Sequence, residues 1–167
     1  MQLLLFRHGI AASRESWQGE DAHRPLTDKG RVRTRQASQG LRSLSVTPTH
    51  ILTSPFIRAH ETAEILYKAL GAKHAVQICD ELIPDSPADK LFPLLSTLPQ
   101  DGCIVCVGHE PQLSDLAGLM IFGKSVAGLA FRKAGACMIS FEDAPKPGRG
   151  VLEWWLIPSL LRTLRKV

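Results

Sequence analysis

The first nine residues, MQLLLFRHG (residues 1–9), combine an apolar run with two basic side chains at its end. Leu3 to Phe6 form a short continuous apolar stretch, which is typical of a strand buried on both faces of a sheet. Arg7 and His8 follow directly, and Gly9 lets a ligand approach the backbone closely. The stretch therefore predicts a buried strand that carries an arginine and a histidine out of the core at its carboxyl end.

Apolar runs and longer amphipathic segments alternate along the rest of the chain. Strands are predicted at residues 1–6, 50–53, 75–78, 103–107, 136–141 and 151–157, and helices at residues 27–44, 55–70, 89–98 and 111–122. Thr27 is the expected N-cap of the first helix, Ser54 that of the second, and the terminal LLRTLRKV (160–167) is expected to pack as a final helix. The alternation predicts an α/β fold: a three-layer sandwich with a mainly parallel central sheet of about six strands, helices on both faces and an antiparallel strand near one edge.

Length and cysteine usage narrow the class of protein. The 167 residues, 44% of them hydrophobic, predict a single domain over residues 1–167. Cys103 and Cys106 form a CxxC inside an apolar run, which favours buried reduced thiols over a redox or zinc site. Reduced thiols in turn favour a cytoplasmic location. No signal sequence or membrane span is predicted. The net charge of +4 favours anionic partners in general.

Basic side chains follow three of the predicted strands. Arg7 and His8 follow the first, Arg58 lies shortly after the second, and His109 follows the strand at residues 103–107. Because ligands bind beyond the carboxyl ends of parallel strands, these residues are expected to converge on one pocket. Two arginines and two histidines suit a dianion and are a poor set of metal ligands, so neither a metal nor another cofactor is expected.

The chemistry that such a pocket predicts is phosphoryl transfer. Guanidinium groups bind a phosphoryl group bidentately, so Arg7 and Arg58 would hold it. A neutral imidazole is a suitable nucleophile near pH 7, and both His8 and His109 qualify by residue type. The position of His8 between Arg7 and Gly9 favours His8 as the nucleophile, with His109 as a further donor to the phosphoryl oxygens.

Four ordered blocks of the chain resemble the histidine phosphatase superfamily, the phosphoglycerate-mutase-like enzymes with an RHG motif. The blocks are FRHG (6–9), RPLTDKG (24–30), SPFIRAHETA (54–63) and VGHEPQL (107–113). The short chain is most similar to the small SixA-type phosphohistidine phosphatases. This resemblance implies a phosphoglycerate-mutase-like fold, a phosphorylated His8, and a phosphoryl group bound by Arg7, Arg58 and His109.

Two positions depart from the pattern of that superfamily. Relatives often have an acidic or polar residue after RHG, whereas this chain has Ile10, which leaves the role of that group open. Larger relatives use a glutamate after the third strand as general acid, and the stretch CDELIPDSPAD (79–89) offers Glu81 ahead of Asp85, or no acid at all. A phosphohistidine substrate weakens the need for such an acid, because imidazole is a better leaving group than an alkoxide.

The expected function is that of a metal-independent phosphatase with a phosphohistidine intermediate, acting on phosphohistidine in proteins. Its partner would be a phosphorylated protein, such as a histidine-containing phosphotransfer domain, or a small phosphorylated molecule. A small-molecule phosphomonoesterase, a mutase of the same superfamily and a non-catalytic phosphate-binding module stay open as alternatives. Nucleic-acid and membrane partners are not expected, and the oligomeric state is not predicted.

Cations are dense in the first predicted helix. They form either a solvated helix face or a docking surface for an acidic phosphoprotein: Lys29, Arg31, Arg33, Arg35 and Arg42. Just before them, Arg24 and Thr27 are expected to cap this helix, a structural role, with lining of the pocket rim as the alternative.

Overall fold

The computed structural model describes residues 1–165 and shows one central sheet between two layers of helices. The strands are β1 (Gln2–Arg7), β2 (His50–Thr53), β3 (Gln77–Ile78), β4 (Cys103–Gly108), β5 (Ala136–Ser140) and β6 (Val151–Leu156). The helices are α1 (Asp28–Ser43), α2 (Ile57–Leu70), α3 (Leu91–Ser96), α4 (Gln112–Phe122) and α5 (Pro158–Thr163), with 3-10 turns at Asp21–His23, Asp80–Leu82 and Ala88–Lys90.

The strand order is β3-β2-β4-β1-β5-β6. The β3, β2, β4 and β1 strands are mutually parallel, whereas β5 runs antiparallel to both β1 and the edge strand β6. The predicted α/β architecture, with a mainly parallel sheet and an antiparallel strand near one edge, is therefore confirmed. Arg7 pairs in register with Gly108, and Thr53 pairs with Val107. The carboxyl ends of β1, β2 and β4 thus lie at one edge of the sheet.

Side chains of β1 alternate between two hydrophobic cores, one on each face of the sheet. Leu3 and Leu5 pack with residues of α3 and α4, whereas Leu4 and Phe6 pack with residues of α1, α2 and α5. All four side chains are fully buried. Burying an aliphatic or aromatic side chain of this size contributes about 1.5–3 kcal/mol. The two cores together fix β1 in the middle of the molecule and leave its carboxyl end as the place where basic side chains emerge.

The CxxC cysteines lie on opposite faces of β4. Cys103 belongs to the α1–α2–α5 core and Cys106 to the α3–α4 core, because residues three apart on a strand point in opposite directions. Burial raises the pKa of the Cys103 thiol to about 11 and raises that of Cys106 as well. Both cysteines are free thiols, in agreement with the sequence-based interpretation.

Several predicted boundaries shift in the structure. The second helix begins at Ile57 instead of residue 55, because Phe56 is still extended and is itself the N-cap. Ser54 is therefore not the cap; its hydroxyl accepts from the Phe56 N–H at 3.3 Å while the segment stays at the end of β2. The third strand shortens to Gln77–Ile78, and the helix predicted at residues 89–98 is a 3-10 turn followed by α3.

The predicted cap of the first helix and the predicted final helix are both present in the structure. Thr27 caps α1, because its hydroxyl accepts from the Gly30 N–H at 3.0 Å, as predicted. The expected final helix is α5, and residues 166–167 of the quoted terminal stretch lie outside the described residues. None of the helices within residues 1–165 has both the length and the apolar character needed to cross a membrane.

Candidate active site

A hollow of about 570 Å³ opens at the carboxyl edge of the sheet. We call it the central hollow; its charged and imidazole lining residues are Arg7, His8, Arg14, Arg24, Arg58, His109, Glu110 and Lys133. The structure therefore brings together four of the five residues predicted for the site, from β1, α2 and the end of β4. The fifth, Glu81, does not line the hollow.

The His8 ring is held in one tautomer by contacts to both of its nitrogens. Nδ1 lies 2.8 Å from the Gly9 carbonyl oxygen, which can only accept, so Nδ1 carries the proton. The permanently protonated Nε of Arg58 lies 3.3 Å from Nε2 and donates to it. The lone pair of His8 is therefore on Nε2, the nitrogen beside Arg58.

Burial keeps His8 neutral. It lowers the pKa of His8 to about 3; the hydrogen bond to Gly9 opposes this shift, whereas repulsion from Arg58, Arg7 and Lys133 adds to it. At neutral pH the ring is an uncharged base with its lone pair on Nε2, which is the form that a nucleophilic histidine requires.

The guanidinium of Arg58 is fixed by the 3-10 turn Asp21–His23. Its Nη1 donates to the Asp21 carbonyl oxygen at 2.7 Å, and its Nη2 donates to Asp21 Oδ2 at 3.0 Å. An arginine has five N–H donors, and three of those of Arg58 are accounted for by Asp21 and His8. The other two N–H groups of Arg58 have no hydrogen-bond partner within residues 1–165.

Asp21 connects three arginines at the rim of the central hollow. Besides Arg58, its carboxylate accepts from Arg24 Nε at 2.8 Å and from Arg14 Nε at 3.2 Å. Partial burial raises the pKa of Asp21, but hydrogen bonds and charges of Arg24, Arg58 and Arg14 outweigh this effect and lower it to about 2. The carboxylate is thus ionised at neutral pH. The sequence reasoning did not identify Asp21, whose only local signal is its position three residues before the RPLT block.

Arg7 and His109 each have a buried nitrogen that no group in residues 1–165 satisfies: Arg7 Nε and His109 Nδ1. Arg7 donates through Nη1 to the Phe131 carbonyl oxygen at 2.6 Å. Burial lowers the pKa of Arg7, and the charge of Glu110 opposes that shift. A buried donor without an acceptor costs about 1–3 kcal/mol, and both residues line the central hollow.

Ser54 holds the His109 ring in place. His109 Nε2 lies 2.9 Å from the Ser54 hydroxyl, whose oxygen accepts from the Phe56 N–H and whose rotatable proton can point at Nε2. We assign this proton to a bond with Nε2, which leaves the ring proton on Nδ1. Burial lowers the pKa of His109 to about 2, with repulsion from Arg58 adding to the effect, so the ring is neutral.

The acidic residues of the region are engaged as acceptors. Glu110 lines the central hollow, but its carboxylate accepts from the Ser114 hydroxyl and from the Phe131 N–H. The Glu81 carboxylate lies 3.2 Å from the Cys79 thiol, and the Glu81 carbonyl accepts from Gln112 Nε2 at 2.6 Å. These contacts hold the turn Asp80–Leu82 so that Pro84, rather than Glu81 or Asp85, lines the hollow.

The central hollow has further lining residues, some raised by the sequence analysis and some missed by it. Arg24 and Thr27 both line the hollow, so the alternative to a purely structural role is the one observed. Glu110 and Lys133 were missed as lining residues: Glu110 lies inside the quoted VGHEPQL block, and Lys133 has no motif to mark it. Residues 1–165 contain no group of three or more His, Cys, Asp or Glu side chains that could hold a metal ion.

Comparisons with known proteins give consistent results. A family model described as the histidine phosphatase superfamily (branch 1) matches residues 3–83. An uncharacterised protein of Picosynechococcus sp. is 40% identical over 137 residues, which cover 81% of this chain and 82% of that protein. Phosphohistidine phosphatase SixA of Escherichia coli is 24% identical over 169 residues, with both chains covered completely. The solved structure of the protein histidine phosphatase SixA complexed with tungstate matches with a TM-score of 0.84 at 24% identity, covering 96% of this chain and 99% of that chain.

Proposed function

Because the chain belongs to the histidine phosphatase superfamily, we propose that it hydrolyses phosphohistidine on proteins through a covalent phosphohistidine intermediate at His8. The chain is a hydrolase of the phosphatase class. The observation that carries the proposal is the state of His8: a neutral ring whose Nδ1–H is bound to the Gly9 carbonyl and whose Nε2 lone pair faces the Arg58 guanidinium. That arrangement is an oriented nucleophile beside an anion-binding group.

In the first step His8 Nε2 attacks phosphorus in line with the leaving group. A P–N bond forms to His8 while the P–N bond to the substrate ring breaks. The bonding electron pair leaves with that ring, which departs as neutral imidazole because its other nitrogen carries a proton. Arg58 has two free N–H groups, and Arg7 Nε and His109 Nδ1 are the buried donors without partners. These donors hold the equatorial oxygens as their negative charge redistributes.

In the second step water replaces His8 on phosphorus. The P–Nε2 bond breaks, inorganic phosphate leaves, and one water proton passes to the phosphate or to solvent. The Gly9 carbonyl keeps the Nδ1 proton of His8 in place throughout. Nε2 is therefore regenerated as a lone-pair nitrogen, ready for another cycle.

The choice of phosphohistidine as substrate follows from the acceptor roles of the acidic residues. Glu110 is held by donors from Ser114 and Phe131, and Glu81 lies against the Cys79 thiol. An alkoxide leaving group needs a proton from such an acid, whereas the phosphohistidine ring can already carry a proton on its other nitrogen and then leaves as neutral imidazole. The relative SixA, a phosphohistidine phosphatase by name, matches this chain over its full length, which supports the same substrate class.

The test is to trap the intermediate. A histidine-phosphorylated protein carrying ³²P, mixed with enzyme and quenched rapidly, should leave acid-labile, base-stable label on His8. His8→Ala should abolish both label and turnover. The control is His60→Ala, which changes a histidine of α2 that lies outside the central hollow and should turn over normally.

Two inhibitors and a substrate panel complete the test. EDTA should leave the activity intact, and vanadate should inhibit it. Unimpaired turnover by His8→Ala would overturn the proposed intermediate. A kcat/KM that is higher for small phosphomonoesters than for phosphohistidine proteins would instead assign the site to a small-molecule phosphatase.

A further inference from the structure

A second pocket lies beside the central hollow. It has a volume of about 540 Å³ and is formed where the RHG segment, α1, the loop before β5 and α5 meet. We call it the side pocket; its basic lining residues are Arg7, Arg33, Arg132, Lys133 and Arg162. No Asp or Glu is among the lining residues that the structure describes, and the remaining wall is largely apolar, with Ile10, Ala134, Ile157 and Pro158.

The charges of the side pocket are uncompensated, in contrast to those of the central hollow. Arg58 and Arg24 both pair with Asp21, whereas none of the five basic residues of the side pocket forms an ion pair within residues 1–165. Burial lowers the pKa of Lys133, and repulsion from Arg7, Arg24 and Arg58 adds to the effect. Several unpaired cations around one concave, partly apolar surface attract anions.

The two pockets are adjacent and share two lining residues, Arg7 and Lys133. Ile10 accounts for part of the difference in charge and polarity between the two pockets. It lines the side pocket and not the central hollow, and its carbonyl oxygen is fixed by the Thr27 N–H at 2.9 Å. The residue after RHG therefore contributes an apolar wall to the side pocket and leaves its positive charge without a carboxylate partner.

The basic residues of α1 divide between two surfaces. Arg33 lines the side pocket, whereas Arg35 lies in the groove between α1 and α2. That groove also contains Glu61 and Glu64, and Glu61 pairs with Arg31 at 2.9 Å. The groove is therefore mixed in charge, and only the side pocket presents positive charge alone.

From these observations we propose that the side pocket binds the carboxylates of Asp or Glu residues that flank the phosphohistidine of a protein substrate. The proposal rests on the proposed function, which places the phosphoryl group in the central hollow. Charge complementarity identifies the occupant: the pocket offers cations and apolar wall, and an acidic protein segment offers carboxylates on short aliphatic stems. The shared residues Arg7 and Lys133 allow one substrate segment to contact both pockets.

The experiment compares two histidine-phosphorylated peptides of equal length. One has Glu and Asp on both sides of the phosphohistidine, and the other has Gln and Asn at the same positions. The wild type should prefer the acidic peptide by about tenfold in kcat/KM, a preference that falls as salt is raised. Arg33→Glu and Arg162→Glu should each bring the ratio close to one, while hydrolysis of phosphoramidate, which has no flanking residues, should not change.

The matched control is Arg35→Glu, the same charge reversal on the same helix but facing the other groove. It should leave the peptide preference intact. Equal kcat/KM values for the two peptides with the wild type, or an equal loss of preference in Arg35→Glu and Arg33→Glu, would overturn the proposal.

Binding measured without turnover separates this proposal from the proposed function. His8→Ala should bind the unphosphorylated acidic peptide more tightly than its Gln/Asn counterpart, and Arg33→Glu in that background should remove the difference. This holds even if the wild type proves unable to hydrolyse phosphohistidine. Equal binding of the two peptides, or displacement of the acidic peptide by a single-stranded oligonucleotide at a lower concentration than by the peptide itself, would contradict it.

Discussion

Asp21 is the residue whose replacement tests the geometry of the site most directly. Its carboxylate accepts from Arg58 at 3.0 Å, from Arg24 at 2.8 Å and from Arg14 at 3.2 Å. In Asp21→Asn the amide keeps one oxygen acceptor in place of two charged ones, and its NH₂ group faces guanidinium donors. We expect at least one guanidinium to lose its side-chain partner and Arg58 to become mobile.

The structure sets the size of the effect on stability. A hydrogen bond to a charged group contributes about 1.5–3 kcal/mol, but the Asp21 side chain is 32% exposed, which screens its interactions. We therefore expect Asp21→Asn to lower the free energy of unfolding by about 1–2 kcal/mol, or the Tm by about 2–8 °C for a chain of this length. Because the Asp21 carboxyl has a pKa of about 2, this effect should be the same at pH 6 and pH 8.

The effect on activity should be larger than the effect on stability. Arg58 binds the phosphoryl group in the proposed mechanism, and a displacement of about 1 Å in such a group costs about 100-fold in rate. We expect kcat/KM for a phosphohistidine peptide to fall about 10- to 100-fold in Asp21→Asn. The control is Asp85→Asn, the same chemical change at an exposed aspartate outside the central hollow. If Asp21→Asn keeps kcat/KM within about twofold of the wild type, the idea that Asp21 orients Arg58 is wrong.

Three further predictions concern the histidines and the helix packing. Ser54→Ala removes the hydroxyl that contacts His109 Nε2 and should lower kcat about tenfold while costing only about 1 kcal/mol of unfolding free energy. Ser54→Thr should restore kcat, and an equal loss in both would contradict the role of this hydroxyl in holding His109. Burial lowers the pKa of His8 to about 3 and of His109 to about 2. Below pH about 6.5 the unfolded chain therefore binds protons that the folded chain does not. Denaturant titrations from pH 7 to 4 should show the free energy of unfolding falling by up to about 1.4 kcal/mol per pH unit for each histidine. A constant free energy of unfolding over this range would refute the prediction. Gly40→Ala should lower the Tm, because its Cβ would lie 1.8 Å from the Leu161 carbonyl oxygen, although alanine is favoured over glycine by about 1 kcal/mol in a free helix; a raised Tm would show that α5 can move away.

Local patterns in the sequence determined the architecture. The apolar run before Arg7 predicted β1, and Thr27 predicted the start of α1 through its hydroxyl cap. Both signals are local: side-chain burial and a cap depend on residues within a few positions of one another. Where local signals were ambiguous, as at Ser54 and Pro55, the predicted boundary was wrong by two residues, because the Ser54 hydroxyl engages the Phe56 N–H and the ring of His109.

From strand ends and motifs the sequence also predicted four basic site residues, and the structure brings all four to the central hollow. It could not decide which carboxylates reach them. Glu81 is suitably placed along the chain, yet its carboxylate contacts the Cys79 thiol, and Glu110 lines the central hollow instead. The direction of a side chain depends on partners that are remote in sequence, such as the Phe131 N–H for Glu110.

The sequence by itself thus determined the α/β fold and the chemical type of the site, because burial periodicity and the residue types at strand ends are properties of short segments. Only the tertiary structure decided that Asp21 holds Arg58 across 37 positions of sequence, that His8 presents Nε2, and that Arg33 and Arg35 face different surfaces. These features arise from hydrogen bonds and cavities between distant segments, and such contacts exist only after the chain has folded.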